Sequence, residues 1–190
     1  FALGNEDAEN WSEKFEERGI KYVQFSVERN GTNPLHDIST FLSIRQILKD
    51  IRPQKIFTYQ AKTIICGSIA AKSLGIKEVY PLIAGMGSLF LDEDLKTKLI
   101  RQVMIAGYKV ALSGGPTVFF QNHDDIEIFK RNHILNKQEI VVLHGSGVNI
   151  EHFNVQPLPE QTAFLCISRL IKDKGVYEYL EASQRIKEKY

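Results

Sequence analysis

The chain has 190 residues, of which 43% are hydrophobic and 25% charged, a composition typical of a soluble globular protein and not of a disordered one. Its 24 basic and 23 acidic residues give a net charge of +1, so no overall field attracts nucleic acid and we predict no nucleic-acid partner. No apolar run reaches the roughly 20 residues that cross a bilayer, and no signal peptide is visible.

Strands and helices are predicted to alternate along the chain, since short apolar runs are separated by segments with helical spacing. In chain order the predicted elements are the end of a strand at Phe1–Gly4, a helix at Asp7–Arg18, a strand at Ile20–Phe25, a helix at Asn33–Arg52, a strand at Lys55–Tyr59, a helix at Thr63–Leu74, a strand at Glu78–Ala84, a helix at Asp92–Ser113, a strand at Thr117–Gln121, a helix at Asp125–Asn132, a strand at Glu139–Leu143, a strand at Ala163–Ser168 and a helix at Lys174–Tyr190. This alternation predicts βαβ units and a parallel sheet in an α/β protein. The Pro-containing segment Gln156–Glu160 is interpreted as an interdomain linker.

The long predicted helix Asp92–Ser113 has two interpretations. Its apolar stripe consists of Leu95, Leu99, Val103, Ala106 and Val110. We interpret this stripe as facing the core, with a solvated back. The alternative is a contact with a membrane surface, because an apolar Leu89-Phe90-Leu91 segment precedes the helix and its polar side is basic.

The two cysteines and the histidines carry little functional signal. Cys66 and Cys166 lie a hundred residues apart within apolar runs, and we interpret both as buried, reduced thiols of a cytosolic protein. His36, His133 and His152 show no metal-ligand spacing, so we predict no metal site.

Four of the predicted strands end in segments that suit ligand binding, which in open α/β sheets takes place beyond the carboxyl ends of the strands. After the first of these strands, Lys62 is either a contact to a phosphate or acceptor group or a solvated lysine. After the second, Gly85-Met86-Gly87-Ser88 either lets the backbone approach an anion or forms a plain turn. This segment is not a dinucleotide fingerprint, since Phe90 stands where the third glycine belongs.

The other two strand ends also have alternatives. In Gln121–Asp125, Asn122 or Asp124 is predicted to cap the next helix, and His123 is either a surface residue or a substrate contact. In His144–Asn149, the residues Gly145, Ser146 and Gly147 form either a flexible, anion-tolerant loop or a turn before a linker.

A fifth segment, Phe164–Val176, has the strongest chemical signal. An apolar strand leads into Arg169, a short polar turn, and Lys174-Gly175 at the start of a helix. A helix start offers unpaired backbone N–H groups and the positive end of the helix dipole. With two cations at the same place, the segment suits a diphosphate, which is the leaving group of a nucleotide-sugar.

Taken together, these segments resemble glycosyltransferase family 4, which has the two-domain GT-B fold. Ser168-Arg169-Leu170 through Lys174-Gly175 resembles the opening of that family's C-terminal domain, and Val142–Phe153 resembles the loop that joins the domains. The runs Leu82–Phe90 and Phe119–Asp125, with Asn30–Pro34, are similar to a narrower branch. That branch transfers galactose, N-acetylgalactosamine or related sugars to polyprenyl-diphosphate-linked saccharides in bacterial capsule, O-antigen and glycan assembly.

The resemblance implies a particular domain organisation. Residues 1–155 are expected to form the acceptor-side, Rossmann-like domain, a parallel sheet with helices on both faces that lacks the family's first strand and glycine-rich loop. Residues 156–190 are expected to form the linker and the start of the donor-binding domain. We therefore expect a chain truncated at both ends and inactive alone. The family's two-glutamate motif is expected past Tyr190, and Met86 replaces an expected leucine.

The resemblance also implies a retaining transfer that needs no metal or cofactor and uses a nucleotide-sugar, expected to be a UDP-sugar, as co-substrate. Arg169, Lys174 and the loop Gly145, Ser146, Gly147 are expected to bind the donor diphosphate. Lys62, Gly85, Gly87 and Ser88 are expected to face the acceptor, a polyprenyl-diphosphate-linked saccharide. A catalytic residue is not identified. The expected location is the cytoplasm, peripheral to the inner face of the plasma membrane.

Three other functions remain open at this point. A sugar-nucleotide epimerase with the same two-domain architecture would need no lipid acceptor. A nicotinamide-dependent dehydrogenase is weakened by the missing fingerprint at Phe90. A non-catalytic sugar-binding subunit would bind a nucleotide-sugar or glycan without turnover.

Overall fold

The structure is a computed structural model that describes residues 1–5, 8–27, 34–85 and 94–189. The chain divides into two compact units, Phe1–Ser146 and Gly147–Tyr190. The domain assignment implied by the resemblance, 1–155 and 156–190, stays a prediction.

The first unit alternates strands and helices, as the sequence predicts. In chain order its elements are β1 (Ala2–Gly4), α1 (Ala8–Glu16), β2 (Tyr22–Gln24), α2 (Pro34–Ile51), β3 (Lys55–Tyr59), α3 (Ala61–Ser73), β4 (Glu78–Ile83), α4 (Leu95–Leu112), β5 (Thr117–Phe120), α5 (His123–Arg131) and β6 (Glu139–Val142). Each predicted element of this part of the chain is present, with ends that differ by a few residues.

All described strand pairs are parallel. β1 pairs with β2 in a two-stranded sheet, and β3, β4, β5 and β6 form a second sheet in that order. In its register Tyr59 lies beside Leu82, and Leu82 beside Phe119. Parallel neighbours require a crossover, and a helix makes each crossover here. The first unit is therefore a Rossmann-like α/β unit with parallel sheets flanked by helices, which confirms the predicted fold class.

Two buried clusters hold the helices against the strands. In the first, Phe129 of α5 meets Phe120 of β5 edge to face, with ring centres 5.3 Å apart, and it meets Tyr108 of α4 at 5.0 Å. In the second, Ile44 and Leu48 of α2 pack with small residues of α3. Because α3 contributes to both clusters, it joins the two halves of the unit.

The apolar stripe of α4 faces solvent, so the prediction that it faces the core is wrong. The exposed fractions are 86% for Leu95, 68% for Leu99, 66% for Val103 and 54% for Val110. The helix packs through a different face, on which Ile105, Tyr108, Ala111 and Leu112 are buried. The sequence places apolar residues on both faces of α4, so helical spacing alone did not identify the packed one.

A cavity of about 550 Å³ separates the two sheets. Residues 1–5, with β1, line one side, and residues 55–60, with β3, line the other. Among the described strands, β1 pairs with β2 alone and β3 with β4 alone. The sheets are therefore joined by side-chain packing around the cavity and not by a continuous ladder of hydrogen bonds.

The second unit contains a short 3-10 turn at Lys172–Lys174 followed by α6 (Val176–Lys189). The strand predicted at Ala163–Ser168 is absent from this described segment, so that prediction is wrong. A strand needs a hydrogen-bonded neighbour, and no described segment pairs with this one. Instead, the Tyr179 hydroxyl donates to the Phe164 carbonyl at 3.0 Å, which ties the segment to α6.

Both cysteines are free, but their burial differs. Cys66 is buried in the second cluster, as predicted, whereas Cys166 is exposed, so its predicted burial is wrong. Cys166 lies in the segment that lacks a strand neighbour. Its neighbours in the sequence are apolar, but no other described element packs over the segment, so the Cys166 side chain stays exposed to solvent.

The packing of α4 can be tested with two truncations. Phe129→Ala removes a fully buried ring from the first cluster and is expected to lower the free energy of unfolding by about 3–5 kcal/mol. Leu99→Ala removes an exposed side chain and is expected to change it by less than about 0.5 kcal/mol. Urea unfolding monitored by circular dichroism measures both values. A Leu99→Ala loss as large as that of Phe129→Ala would mean that α4 packs through the opposite face.

Candidate functional site

The carboxyl ends of β3, β4, β5 and β6 lie along one edge of the four-stranded sheet, and the segments that follow them form the candidate site. These segments are residues 60–62, 84–85, 121–123 and 143–146. Parallel strands end at a common edge, so a βαβ fold places loops from distant parts of the sequence beside one another there.

The turn from β3 into α3 is strained and leaves the helix start open. Gln60 has φ 72°, a region that favours glycine. The Thr63 hydroxyl donates to the carbonyls of Tyr59 and Gln60, at 3.0 Å for Gln60, and so supports this turn. The Gln60 side chain makes no capping bond, and the first turn of α3 has no acidic residue. No residue at the start of α3 itself therefore places a negative charge or a capping acceptor at the positive end of the helix dipole.

Lys62 contacts a carboxylate on the neighbouring helix. Its Nζ donates to Asp37 Oδ1 at 2.6 Å, and the Lys62 side chain is only 21% exposed. Asp37 lies in the first turn of α2, where the helix dipole favours an acidic residue. The pair fixes the starts of α2 and α3 relative to each other. The acceptor-side role of Lys62 stays a prediction.

Burial and the same ion pair affect Cys66. Burial raises the pKa of the Cys66 thiol, the negative charge of Asp37 raises it further, and the nearby Lys62 ammonium lowers it. The raised pKa keeps Cys66 protonated and unreactive near neutral pH. Cys66 is therefore a packing residue beside the site and not a nucleophile.

Gly85 follows β4 at the same edge. It has φ 137°, and an added Cβ there would meet no atom within 4 Å. The backbone conformation, and not a lack of space, therefore favours glycine at this position. Gly87 and Ser88, with Met86, lie outside the described residues, and the roles predicted for Gly87 and Ser88 stay predictions.

The ends of β5 and β6 are linked by a side-chain hydrogen bond. Gln121 Nε2 donates to Ser146 Oγ at 3.0 Å, and the Leu143 amide extends the ladder to the Phe120 carbonyl at 2.8 Å. Gly145, with φ 87°, lies between these two contacts along the chain. The sequence analysis does not predict this link. The signal available is a polar residue shortly after each strand, since Gln121 directly follows β5 and Ser146 lies four positions after β6.

Asn122 caps α5. Its Oδ1 accepts from the Asp125 amide at 2.8 Å, and its Nδ2 donates to Asp125 Oδ2 at 2.8 Å. Of the two predicted caps, Asn122 is therefore the one that forms. His123 is the first residue of α5 and is exposed, which leaves its substrate role a prediction.

The second unit holds the predicted diphosphate cations. Arg169 and Lys174 are both exposed, and neither has an ion pair among the residues that the structure describes. The Ile171 amide donates to the Arg169 carbonyl at 2.8 Å, and the Lys174 amide to the Ile171 carbonyl at 3.1 Å, so the chain between the cations is tightly turned.

The predicted helix start needs a small correction. Lys174 ends the 3-10 turn, Gly175 has φ 68°, and α6 begins at Val176. The Gly175 carbonyl accepts from the Tyr179 amide at 2.9 Å, so Gly175 directly precedes the helix. Lys174 therefore lies beside the helix start, as expected for the phosphate contact, while its role, like those of Arg169 and Gly147, stays a prediction.

The described residues contain no group of three or more His, Cys, Asp or Glu side chains placed to hold a metal ion. Among the described helices, none is both long and apolar enough to cross a membrane.

Comparison with known proteins defines the class. Residues 6–122 match the profile of the family described as "Glycosyl transferase 4-like", which covers most of the first unit. The chain belongs to this family, and the predicted resemblance is confirmed.

One relative is more informative. N,N'-diacetylbacillosaminyl-diphospho-undecaprenol alpha-1,3-N-acetylgalactosaminyltransferase of Campylobacter jejuni is 26% identical over 198 residues, which cover 95% of this chain and 52% of that enzyme. The chain therefore spans about half the length of this relative.

The Lys62–Asp37 pair can be measured by a double-mutant cycle with Lys62→Met and Asp37→Asn. The partly buried contact at 2.6 Å is expected to give a coupling energy of about 1 kcal/mol in urea unfolding. The exposed Lys55–Glu78 pair at 2.8 Å provides a matched control with a smaller expected coupling. Equal couplings for the two pairs would show that burial adds nothing at Lys62.

Proposed function

We propose that the protein is a retaining glycosyltransferase that moves a hexose or N-acetylhexosamine from a nucleotide-sugar to a polyprenyl-diphosphate-linked saccharide. The main support is the similarity, across 95% of the chain, to an enzyme whose name specifies transfer of N-acetylgalactosamine to a diphospho-undecaprenol-linked sugar. Membership of the glycosyl transferase 4-like family supports the same class of reaction.

In the proposed reaction, an acceptor hydroxyl attacks the anomeric carbon of the donor sugar. The bond between that carbon and the diphosphate oxygen breaks, and a bond to the acceptor oxygen forms on the same face of the sugar. The departing nucleoside diphosphate or the solvent takes up the proton of the acceptor hydroxyl. Negative charge grows on the departing diphosphate, so cations and N–H donors placed there lower the barrier most.

On the donor side we assign the diphosphate contacts to Arg169 and Lys174. A guanidinium forms paired hydrogen bonds to phosphate oxygens, whereas an ammonium acts as a compact charge. The exposed position of both side chains and their closeness in the chain to the start of α6 support this assignment. Gly145, Ser146 and Gly147 are assigned to the same diphosphate or the cleft wall, and the positive φ of both glycines gives this loop a backbone that other residues rarely adopt.

On the acceptor side we assign Lys62, Gly85, Gly87 and Ser88. Gly85 leaves open space beside its backbone, and the start of α3 adjoins it along the sheet edge. Because Lys62 already contacts Asp37 at 2.6 Å, its ammonium is held in place before an acceptor phosphate arrives. Such preorganisation lowers the entropy lost on binding.

We place the protein in the cytoplasm, at the inner face of the plasma membrane, in the assembly of a bacterial surface polysaccharide or glycan. The co-substrate is assigned as a UDP-sugar, and no metal or other cofactor is included in the proposal.

The proposal is tested with protein expressed from the complete open reading frame. The protein is incubated with a panel of UDP-sugars and a short polyprenyl-diphosphate-linked sugar, and the lipid product is weighed by mass spectrometry. We expect a mass gain of one hexose or N-acetylhexosamine. Release of an altered sugar without acceptor, or nucleotide binding without any product, would reject the transferase.

The donor-side assignment predicts that Arg169→Ala and Lys174→Ala each lower kcat about 10²–10³-fold, as loss of a single transition-state donor does in other enzymes. Lys187→Ala, in the last turn of α6, removes the same charge away from the helix start and serves as the control. Single-turnover rates with saturating donor measure the effect. Wild-type rates in both variants would contradict the assignment.

A further inference from the structure

Helix α4 has an apolar stripe on its surface, and no described residue of the first unit covers it. We call Leu95, Leu99, Val103, Ala106 and Val110 the outer stripe; all five are exposed. From Leu95 to Val110 the stripe extends about 23 Å along the helix axis. A contiguous exposed apolar surface of this length on a folded protein marks a contact with a partner or a membrane.

The helix is fixed in this orientation, so the outer stripe cannot turn inward. Its opposite face is held by Tyr108 against Phe129 in the first cluster. At the end of the helix, Lys72 Nζ of α3 donates to the Val110 carbonyl at 2.7 Å and to Ser113 Oγ at 2.9 Å. Exposure of the stripe is therefore a property of the packed unit.

The charge of α4 indicates what covers the stripe. Its 18 residues include no Asp or Glu and four basic residues, Lys96, Lys98, Arg101 and Lys109, although the whole chain has a net charge of only +1. Helix α2 also exposes apolar residues, Leu35, Ile38 and Leu42. Its two acidic residues balance its Arg and Lys. Of these two helices, only α4 therefore combines exposed apolar residues with a net positive charge.

The basic residues are placed beside the stripe. Lys98 directly precedes Leu99, and Lys109 directly precedes Val110, and both lysines are exposed. With 3.6 residues per turn, both therefore lie on the same flank of the outer stripe. An apolar face bordered by lysines is the pattern of a helix that lies in the surface of an anionic membrane.

We infer that α4 binds an anionic lipid bilayer, with the outer stripe inserted at the level of the upper acyl chains and Lys98 and Lys109 against the headgroups. This inference rests on the proposed function, since a polyprenyl-linked acceptor is held in a bilayer, and it identifies the surface of the protein that meets that bilayer. The segment Leu89-Phe90-Leu91 lies outside the described residues and is not needed for the inference.

The test is vesicle flotation with protein from the complete open reading frame. Wild-type protein is expected to bind vesicles of equal parts phosphatidylglycerol and phosphatidylcholine and to bind pure phosphatidylcholine at least about tenfold more weakly. Leu99→Ser/Val103→Ser and, separately, Lys98→Glu/Lys109→Glu are each expected to weaken binding to the anionic vesicles by about tenfold or more. Both pairs lie at exposed positions, and thermal unfolding checks that each variant is folded.

Leu42→Ser on α2 is the matched control and is expected to bind like wild type, since the α2 surface carries no excess positive charge. Unchanged binding in both double variants would overturn the inference, as would equal weakening in the control. Sedimentation of the wild type as a dimer that Leu99→Ser/Val103→Ser dissociates would assign the stripe to a second copy instead. Transfer to a short, water-soluble acceptor without vesicle binding would reject this inference while leaving the proposed function intact.

Discussion

The close approach of helix α3 to its neighbours determines the geometry of the first unit. Its inward residues are small: Ser68, Ala70 and Ala71 are fully buried, and a Cβ at Gly67 would lie 3.1 Å from Thr58 of β3. Small side chains let a helix axis lie close to a strand and to neighbouring helices at once. This closeness brings Lys62 within reach of α2 and Lys72 within reach of the end of α4. One end of α3 thus lies at the candidate site, and its other end contacts α4, the helix that carries the outer stripe.

Much of the fold follows from local chemistry and could be predicted. The strands of the four-stranded sheet are short, largely apolar runs, and a glycine or polar residue follows each of them within two positions. The Asn122 cap depends on residues three positions apart. Each of these signals lies within a few residues of the structure that it specifies. For the same reason the sequence alone locates the carboxyl edge of the sheet, and with it Gly85 and Gly145.

The errors arise where structure depends on distant partners. The segment Ala163–Ser168 has the composition of a strand, but a strand also requires a neighbour, and composition does not report one. Helix α4 is apolar on two faces, and only the contacts of Tyr108 with α5 show which one is buried. The Gln121–Ser146 and Lys62–Asp37 contacts join residues 25 positions apart in each case. A single sequence does not show which residues make contact at such a separation.

The exposure of the outer stripe has a consequence for how this family changes over evolution. At buried positions such as Phe120 or Phe129, an apolar residue is retained because the fold fails without it. At Leu99 or Val103 the fold makes no such demand, and random substitution drifts toward polar residues there. Retention of apolar residues at these positions among relatives would therefore record selection for an external contact. At the outer stripe, selection for an external contact can therefore be told apart from selection for the fold.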